Sequence, residues 1–268
     1  MTALAVAGAA LLGGTLQREE PLPGGNLSQI LQLRLADGRQ AIVKGGPAPR
    51  VEAAMLAAIA AAGAPTPPVL AVDDRTLVLA VVPGHSGPEG AWRSLGAALA
   101  GLHAARGLHY GWADDYAFGP VAIENGVSQD WPHFGAERRL LTHLPHLPPD
   151  LARRVERLAA DLPNRLPARP AASLLHGDLW GGNVLAEGAR VTALIDPACY
   201  FGHGEVDLAM LALFDRPGPE FRAAYGLPEP GEAERRPLYQ LWPALVHLRL
   251  FGAGYRALVD RLLDAAGA

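Results

Sequence analysis

The alternation of hydrophobic and polar positions changes character near Gly84. Between Thr15 and Gly84 apolar and polar residues alternate and are broken by turns, the pattern of a small antiparallel sheet. Residues 16–22 and 30–35 flank the turn PGGNLS, Asp37-Gly38 leads into 40–44, and 65–72 and 76–82 complete the sheet before VVPG interrupts it. Residues 50–62 read as a helix inserted among these strands, and the Ala/Gly/Leu run 1–15 as a short packed helix. Beyond Gly84 the period becomes helical. Residues 91–105 set Trp92, Leu95, Leu99 and Leu102 on one face. Residues 150–162 and 238–250 are further helices, 163–170 is a connector, and the apolar run 191–195 is a strand delivering Asp196 at its end. The expected class is α+β: an antiparallel-sheet lobe over residues 1–83, then a mainly helical lobe over 84–268.

Composition narrows the functional classes. Half of the 268 residues are hydrophobic and 19% are charged, enough for a sizeable core. A net charge of −4 without a basic block argues against nucleic acid as the partner. The single cysteine, Cys199, excludes an internal disulfide framework and a cysteine-based zinc cluster, so a reducing, cytoplasmic setting is expected. The N-terminal run lacks the basic start of a signal peptide, its first basic residue being Arg18. No uninterrupted apolar stretch reaches the ~20 residues of a membrane helix. A soluble monomer without a membrane partner is the expectation.

The chemistry concentrates in LLHGDLWGGNVL, residues 174–185. Asp178 and Asn183 stand five apart in a loop too rich in glycine to be a helix, and Asp196 follows Asn183 by thirteen residues. Transfer of the γ-phosphoryl of ATP asks for little covalent chemistry and much positioning and charge neutralisation. One carboxylate accepts the proton of the attacking hydroxyl, while an amide and a second carboxylate hold Mg²⁺ on the phosphates. Asp178 fits the base, and Asn183 and Asp196 the metal ligands. A surface loop whose Asp and Asn only make turns would carry similar letters. The interval to Asp196 and an upstream lysine weigh against that reading. Lys44 ends the strand AIVK and is the only lysine in the chain, the other 22 of its 23 basic residues being arginine. An ammonium on a flexible stem suits a point contact with phosphates, and Glu52, in the first turn of the next helix, can reach back to it. Glu52 also suits the helix dipole there. Gly24, Gly25 and Asn26 form either an ordinary hairpin turn or one whose N–H groups approach phosphate oxygens. Adenine is expected against the backbone near Val81 and Val82. An aromatic-rich passage, residues 107–141, holds Tyr110, Trp112, Tyr116, Phe118, Trp131 and Phe134. Such residues are usually core, and a subset, Trp131 among them, is expected to wall an acceptor pocket.

The segments HGDLWGGNV, IDPACYFGHGEVDLAML, YQLWPALVHLRLFGAGY and NGVSQDWPHFGAERRL resemble the fructosamine kinase (ketosamine kinase) family. That family is related to aminoglycoside and choline kinases and has a protein-kinase-like two-lobed fold. The resemblance implies an ATP- and Mg²⁺-dependent kinase acting on a hydroxyl of a sugar bound to an amine as a ketosamine, in deglycation repair. It implies Asp178 as base, Asn183 and Asp196 as metal ligands, Lys44 and Glu52 as the ATP clamp, and His176 as a brace of the catalytic loop. It implies Trp180 packing on the acceptor, His247 facing it, and His203 or Glu205 turned toward it. A separate metal site at His203, Glu205 and Asp207 has nothing else to support it. Asp207 is expected to bond catalytic-loop amides instead. The chain departs from relatives in having no cysteine in the glycine turn, and Asp196-Pro197-Ala198 stands where many kinases carry a movable Phe. Two alternatives are an aminoglycoside or other small-alcohol phosphotransferase of the same fold, and a nucleotide-binding module without catalysis. The Trp-Gly-Gly sequence argues against the first, and the presence of lysine, base and both metal ligands against the second.

Overall fold

The structure, a computed structural model, describes residues 1–22 and 29–268. The glycine turn at Gly24, Gly25 and Asn26 lies outside the described residues. Strands β1 (Leu16–Pro21), β2 (Ile30–Leu35), β3 (Gln40–Gly45), β4 (Val69–Val72) and β5 (Thr76–Leu79) form an antiparallel sheet in the order β1-β2-β3-β5-β4. Alternate residues Leu31 and Leu33 of β2, with Ala41 and Val43 of β3, bury one face against helix α1 (Ala3–Leu11). A Cβ on Gly8 of α1 would stand 2.7 Å from Val43 Cγ2, so this glycine sets how closely helix and sheet approach. Each leucine side chain taken out of water there contributes about 2 kcal/mol.

Helix α2 (Pro49–Ala61) starts with proline in its first turn, where the missing N–H costs nothing, and carries Glu52 one turn in. Its faces are divided. Leu56 packs on Leu77 and Leu79 of the sheet, while Met55 and Ile59 join a cluster built from the following part of the chain. That cluster includes Leu95, Leu99 and Leu102 of α3 (Trp92–Ala104). The chain leaves β5 and adds the two-residue strand β6 (His85–Ser86) to the hairpin formed later by β10 (Val184–Glu187) and β11 (Arg190–Leu194). Between them come the hairpin β7 (Tyr116–Phe118) and β8 (Val121–Ile123), the short helix α4 (Trp131–Gly135), the long helix α5 (Pro149–Arg165) and β9 (Ser173–Leu174). Strand β12 (Phe201–Gly202) pairs with β9, and helices α6 (Glu205–Phe214), α7 (Pro219–Tyr225), α8 (Glu232–Phe251) and α9 (Arg256–Ala265) complete the fold.

Three expected boundaries shift for physical reasons. Helix α5 continues through Pro163 to Arg165 instead of ending at 162, because Leu158, Leu162 and Leu166 keep the chain packed on the main helical core. Helix α8 begins at Glu232 and accommodates Pro237 and Pro243, held by a run of buried residues from Leu238 to Val246. Strand β5 stops at Leu79, which leaves exposed Val81 and half-buried Val82 in the crossing segment. Among the described residues no helix is long and apolar enough to cross a membrane.

Candidate active site

The nine residues 175–183 between β9 and β10 carry the loop that matters most, and each glycine in it has its own steric reason. Gly177 has φ +82°, and a Cβ there would lie 1.9 Å from Ala198 O. At Gly181 it would meet Asp215 Oδ1 at 2.4 Å, and at Gly182 the Trp180 ring at 2.2 Å. The loop therefore folds back on the β11–β12 segment, on the end of α6 and on its own indole, which no side-chain-bearing residue would allow.

Asp178 lines a cavity whose volume is about 1190 Å³, counting the space open to solvent. Burial is the main influence on its carboxyl and pushes its pKa up to about 7; the Asn183 amide opposes this and the charges of Asp196 and Asp207 add to it. Asn183 donates from Nδ2 to Asp178 O at 2.8 Å and to Asp178 Oδ2 at 3.0 Å. With its NH₂ so occupied, the Oδ1 of Asn183 is left as an acceptor facing the same cavity. Asp196 follows β11 with φ +54°, the sole non-glycine residue at positive φ among those described. Such a conformation is strained and persists where the surroundings over-determine it.

Lys44 reaches the cavity from β3. Its Nζ donates to Glu52 Oε1 at 2.7 Å and to Asp196 Oδ1 at 2.5 Å, so one ammonium ties the sheet, α2 and the end of β11 together. Burial alone disfavours its charge, yet the two carboxylates outweigh this and raise its pKa. Burial likewise raises the Glu52 carboxyl, against the pull of Lys44. Tyr116 donates to Glu52 Oε2 at 3.1 Å, and burial beside that carboxylate pushes its phenol well above the usual value.

Behind the loop, Asp207 in the first turn of α6 accepts the N–H of His176 at 2.7 Å and of Gly177 at 3.0 Å. It also faces His103 Nε2 at 3.0 Å. Burial opposes its ionisation, but the His103 and backbone donors hold it below the ordinary carboxylate range. His176 donates from Nε2 to Ile195 O at 3.0 Å while the Asp178 N–H approaches its Nδ1 at 3.4 Å. Fully buried and held neutral by desolvation, it joins the Asp178 loop to the residue preceding Asp196.

The sequence profile of the fructosamine kinase family matches residues 12–266. The chain belongs to that family. Within it, a Synechocystis protein named a probable ketoamine kinase is 37% identical over 199 residues, covering 70% of this chain and 66% of that protein, so the match spans about two thirds of the relative's length. A probable ketoamine kinase of Thermus thermophilus is 35% identical over 255 residues, 92% of this chain and 93% of the relative. A solved structure from Thermobifida fusca, assigned by name to the fructosamine-3-kinases, superposes with a TM-score of 0.86 at 35% identity over 98% of both chains. The protein-kinase-like α+β architecture is that of this fructosamine kinase family.

Other expected site residues of this family member fall on two sides of the line. Trp180 and His247 both line the cavity with Asp178. His247 donates from Nδ1 to Pro243 O at 2.7 Å, and burial lowers its pKa, which leaves a neutral ring with Nε2 as an acceptor. Trp131, His203 and Glu205 do not face the cavity, contrary to expectation. Trp131 is buried in the helical core and donates through Nε1 to Tyr239 Oη at 3.0 Å, and that hydroxyl meets His203 Nδ1 at 2.8 Å. Glu205 is taken by Arg235 through both oxygens, at 2.5 and 2.7 Å. The three are placed away from it because the buried indole N–H and imidazole bond the Tyr239 hydroxyl and the buried carboxylate bonds Arg235, which satisfies these polar groups inside the protein. His203, Glu205 and Glu229 bring possible ligand atoms within 4.8 Å, but with Arg235 on Glu205 the cluster is an ion-pair network. Val81 and Val82, expected against adenine, are not among the residues lining the cavity.

Several apolar contributors leave no functional mark in the sequence. Met210, Trp242, Val246 and Leu250 line the cavity. Helical spacing on α8 puts Trp242, Val246 and Leu250 on one face, but an apolar face alone gives no sign of whether it meets a core or a ligand.

Proposed function

We propose that this chain transfers the γ-phosphoryl of ATP to a hydroxyl of a ketosamine. The observation that carries the reading is the meeting of Asp178, Asn183, Asp196 and the Lys44–Glu52 pair on one cavity, with an aromatic wall beyond Asp178. Asp178 accepts the proton of the attacking hydroxyl as its oxygen bonds to phosphorus and the β–γ bridging oxygen leaves with ADP; the proton later passes to solvent. A carboxyl poised near 7 divides its time between proton acceptor and proton donor at neutral pH, the condition general-base work favours. Lys44 exchanges its contact with Asp196 for phosphate oxygens while Glu52 keeps it aimed.

Mg²⁺ fits the donor set: the free Oδ1 of Asn183 and the second oxygen of Asp196 are hard ligands of the kind that ion takes alongside phosphates and water. When bound it would neutralise phosphate charge and draw the leaving oxygen's electrons. Trp180 offers a flat face to the sugar, and His247 Nε2 an acceptor for one of its hydroxyls. Residues 1–83 serve as the nucleotide-holding lobe and 84–268 as the catalytic and acceptor-holding lobe, a division supported by the lysine pair coming from one side of the cavity and the two aspartates and the amide from the other.

The test is Mg-ATP consumption with ribulose-lysine, fructose-lysine, an aminoglycoside, choline and no acceptor, each repeated with Asp178→Asn. Turnover of a ketosamine that disappears in the variant is expected. Turnover of the antibiotic or choline alone would replace the acceptor class and leave the phosphoryl-transfer site standing.

A further inference from the structure

Past Asp178 the cavity loses its charge. Lys44, Glu52, Asp178 and Asp196 are the charged side chains lining it among the described residues, and all four belong to the nucleotide and transfer end. Much of the remaining lining is apolar: Phe118, Met210, Trp242, Val246, Leu250 and Phe251, of which Phe118, Trp242, Val246 and Leu250 pack in one cluster. A row of rings runs on from the lining residue Trp180 across the end of α6 to α8. Trp180 meets Phe214 edge to face at 6.3 Å, Phe214 meets His247 at 5.0 Å, and His247 meets Phe251 at 5.5 Å and Tyr255 at 5.0 Å. Three of these rings are large and open to solvent: Trp180 is 41%, Phe214 39% and Phe251 47% exposed. A contiguous exposed aromatic strip continuous with a cavity marks a binding surface more often than a lone exposed Phe does.

Resting on the ketosamine reading above, we propose that the outer half of this cavity and its aromatic rim bind the amine-derived part of the acceptor, and that this part is apolar or aromatic. The chemistry of the wall discriminates. The α-ammonium and α-carboxylate of a free amino acid would lose hydration against Trp242, Leu250 and Phe251 and meet no fixed opposite charge among these residues. A benzyl or alkyl group buries apolar area there and stacks on ring faces. The secondary ammonium of any ketosamine sits next to the sugar, within the reach of Trp180's face and the Asp178 carboxylate, so it does not depend on the outer wall. Phe214 does not line the cavity; it packs between Trp180, which it meets edge to face, and His247, which it meets at a tilt.

The experiment compares ketosamines that share one sugar and differ in the amine: benzylamine, methylamine and the ε-amine of free lysine. Each is measured for kcat and KM with the full chain and with Phe251→Ala. The expected result is a kcat/KM for the benzyl compound at least tenfold above the other two, carried by KM. In the variant the benzyl-to-methyl ratio falls about tenfold. Phe251 is half exposed at the end of α8, so its truncation is compatible with folding, and the comparison among amines in the unaltered protein stands without it. Equal or better use of the lysine compound, or a benzyl-to-methyl ratio unmoved in Phe251→Ala, would overturn the inference while leaving ketosamine kinase activity intact. Failure of all three compounds alongside normal Mg-ATP binding would overturn the ketosamine reading, and the inference with it.

Discussion

At the residue scale, the loop around Asp178 combines a desolvated carboxyl with glycines that exist for contact. Asp178→Asn keeps the hydrogen bonds to Asn183 within reach but cannot take a proton, so kcat is expected to fall roughly 10²–10⁴-fold. Calorimetric ATP affinity should stay within about threefold, since the cradle for phosphates lies with Lys44. A turnover number left unchanged would falsify the base assignment. The raised pKa fixes the sign of the pH dependence. Below about 7 Asp178 is protonated and unable to act as base, so kcat/KM for ATP should decline as pH falls through that value. Bound Mg²⁺ favours the carboxylate, so the matching limb of kcat should lie at lower pH. Gly177→Ala places a methyl group 1.9 Å from Ala198 O at a left-handed φ, and a loss of at least ~2 kcal/mol is expected in a urea unfolding curve.

At the element scale, α6 works as a bracket for the catalytic loop. Its ten residues span about 15 Å, and both ends bond the loop. Asp207 takes the His176 and Gly177 N–H groups at the start, and Asp215, just past the last turn, takes the Gly181 N–H at 2.7 Å. An acid at a helix C-terminus faces the unfavourable end of the dipole. Burial, and the nearby charge of Glu89, further raise the Asp215 pKa against the Gly181 N–H. A carboxylate kept where three influences oppose it is held for its hydrogen bond. Asp215→Ala should lower kcat about tenfold with KM for ATP little changed, and Asp215→Asn, whose Oδ1 still accepts, should recover most of the loss. Equal loss in both variants would remove this positioning role.

At the scale of the whole molecule, the Lys44 ammonium is the point where sheet, α2 and the β11 end converge. A nucleotide engaging both sides of the cavity binds the folded chain alone and stabilises it. At a hundredfold excess over Kd the gain is about 2.7 kcal/mol, a rise of roughly 5–10 °C in Tm for a chain of this size. Lys44→Ala should have a lower Tm of its own, because Glu52 loses its buried partner, and should show less than half of that ATP-induced rise in differential scanning fluorimetry.

Local chemistry was legible along the chain. Strands β2 and β3, helices α2 and α3, and the Asp178–Asn183–Asp196 interval follow from periodicity, turn residues and fixed spacings, which act over a few residues and leave a direct mark in the order of amino acids. The lone lysine and the glutamate eight positions on belong to the same class, since strand and helix geometry bring them together. Which polar groups face the cavity was decided only in three dimensions. Trp131, His203 and Glu205 carry the same side chains as a binding site would, but Arg235 and Tyr239 of α8, each more than thirty positions past His203, take their hydrogen bonds. Asp215 acquires its partner only because α6 runs alongside the catalytic loop, and the aromatic rim forms only because α8 crosses the end of α6. Burial and partnership depend on every element packed against a residue, and a linear pattern records the residue's own face without recording what is brought up to it.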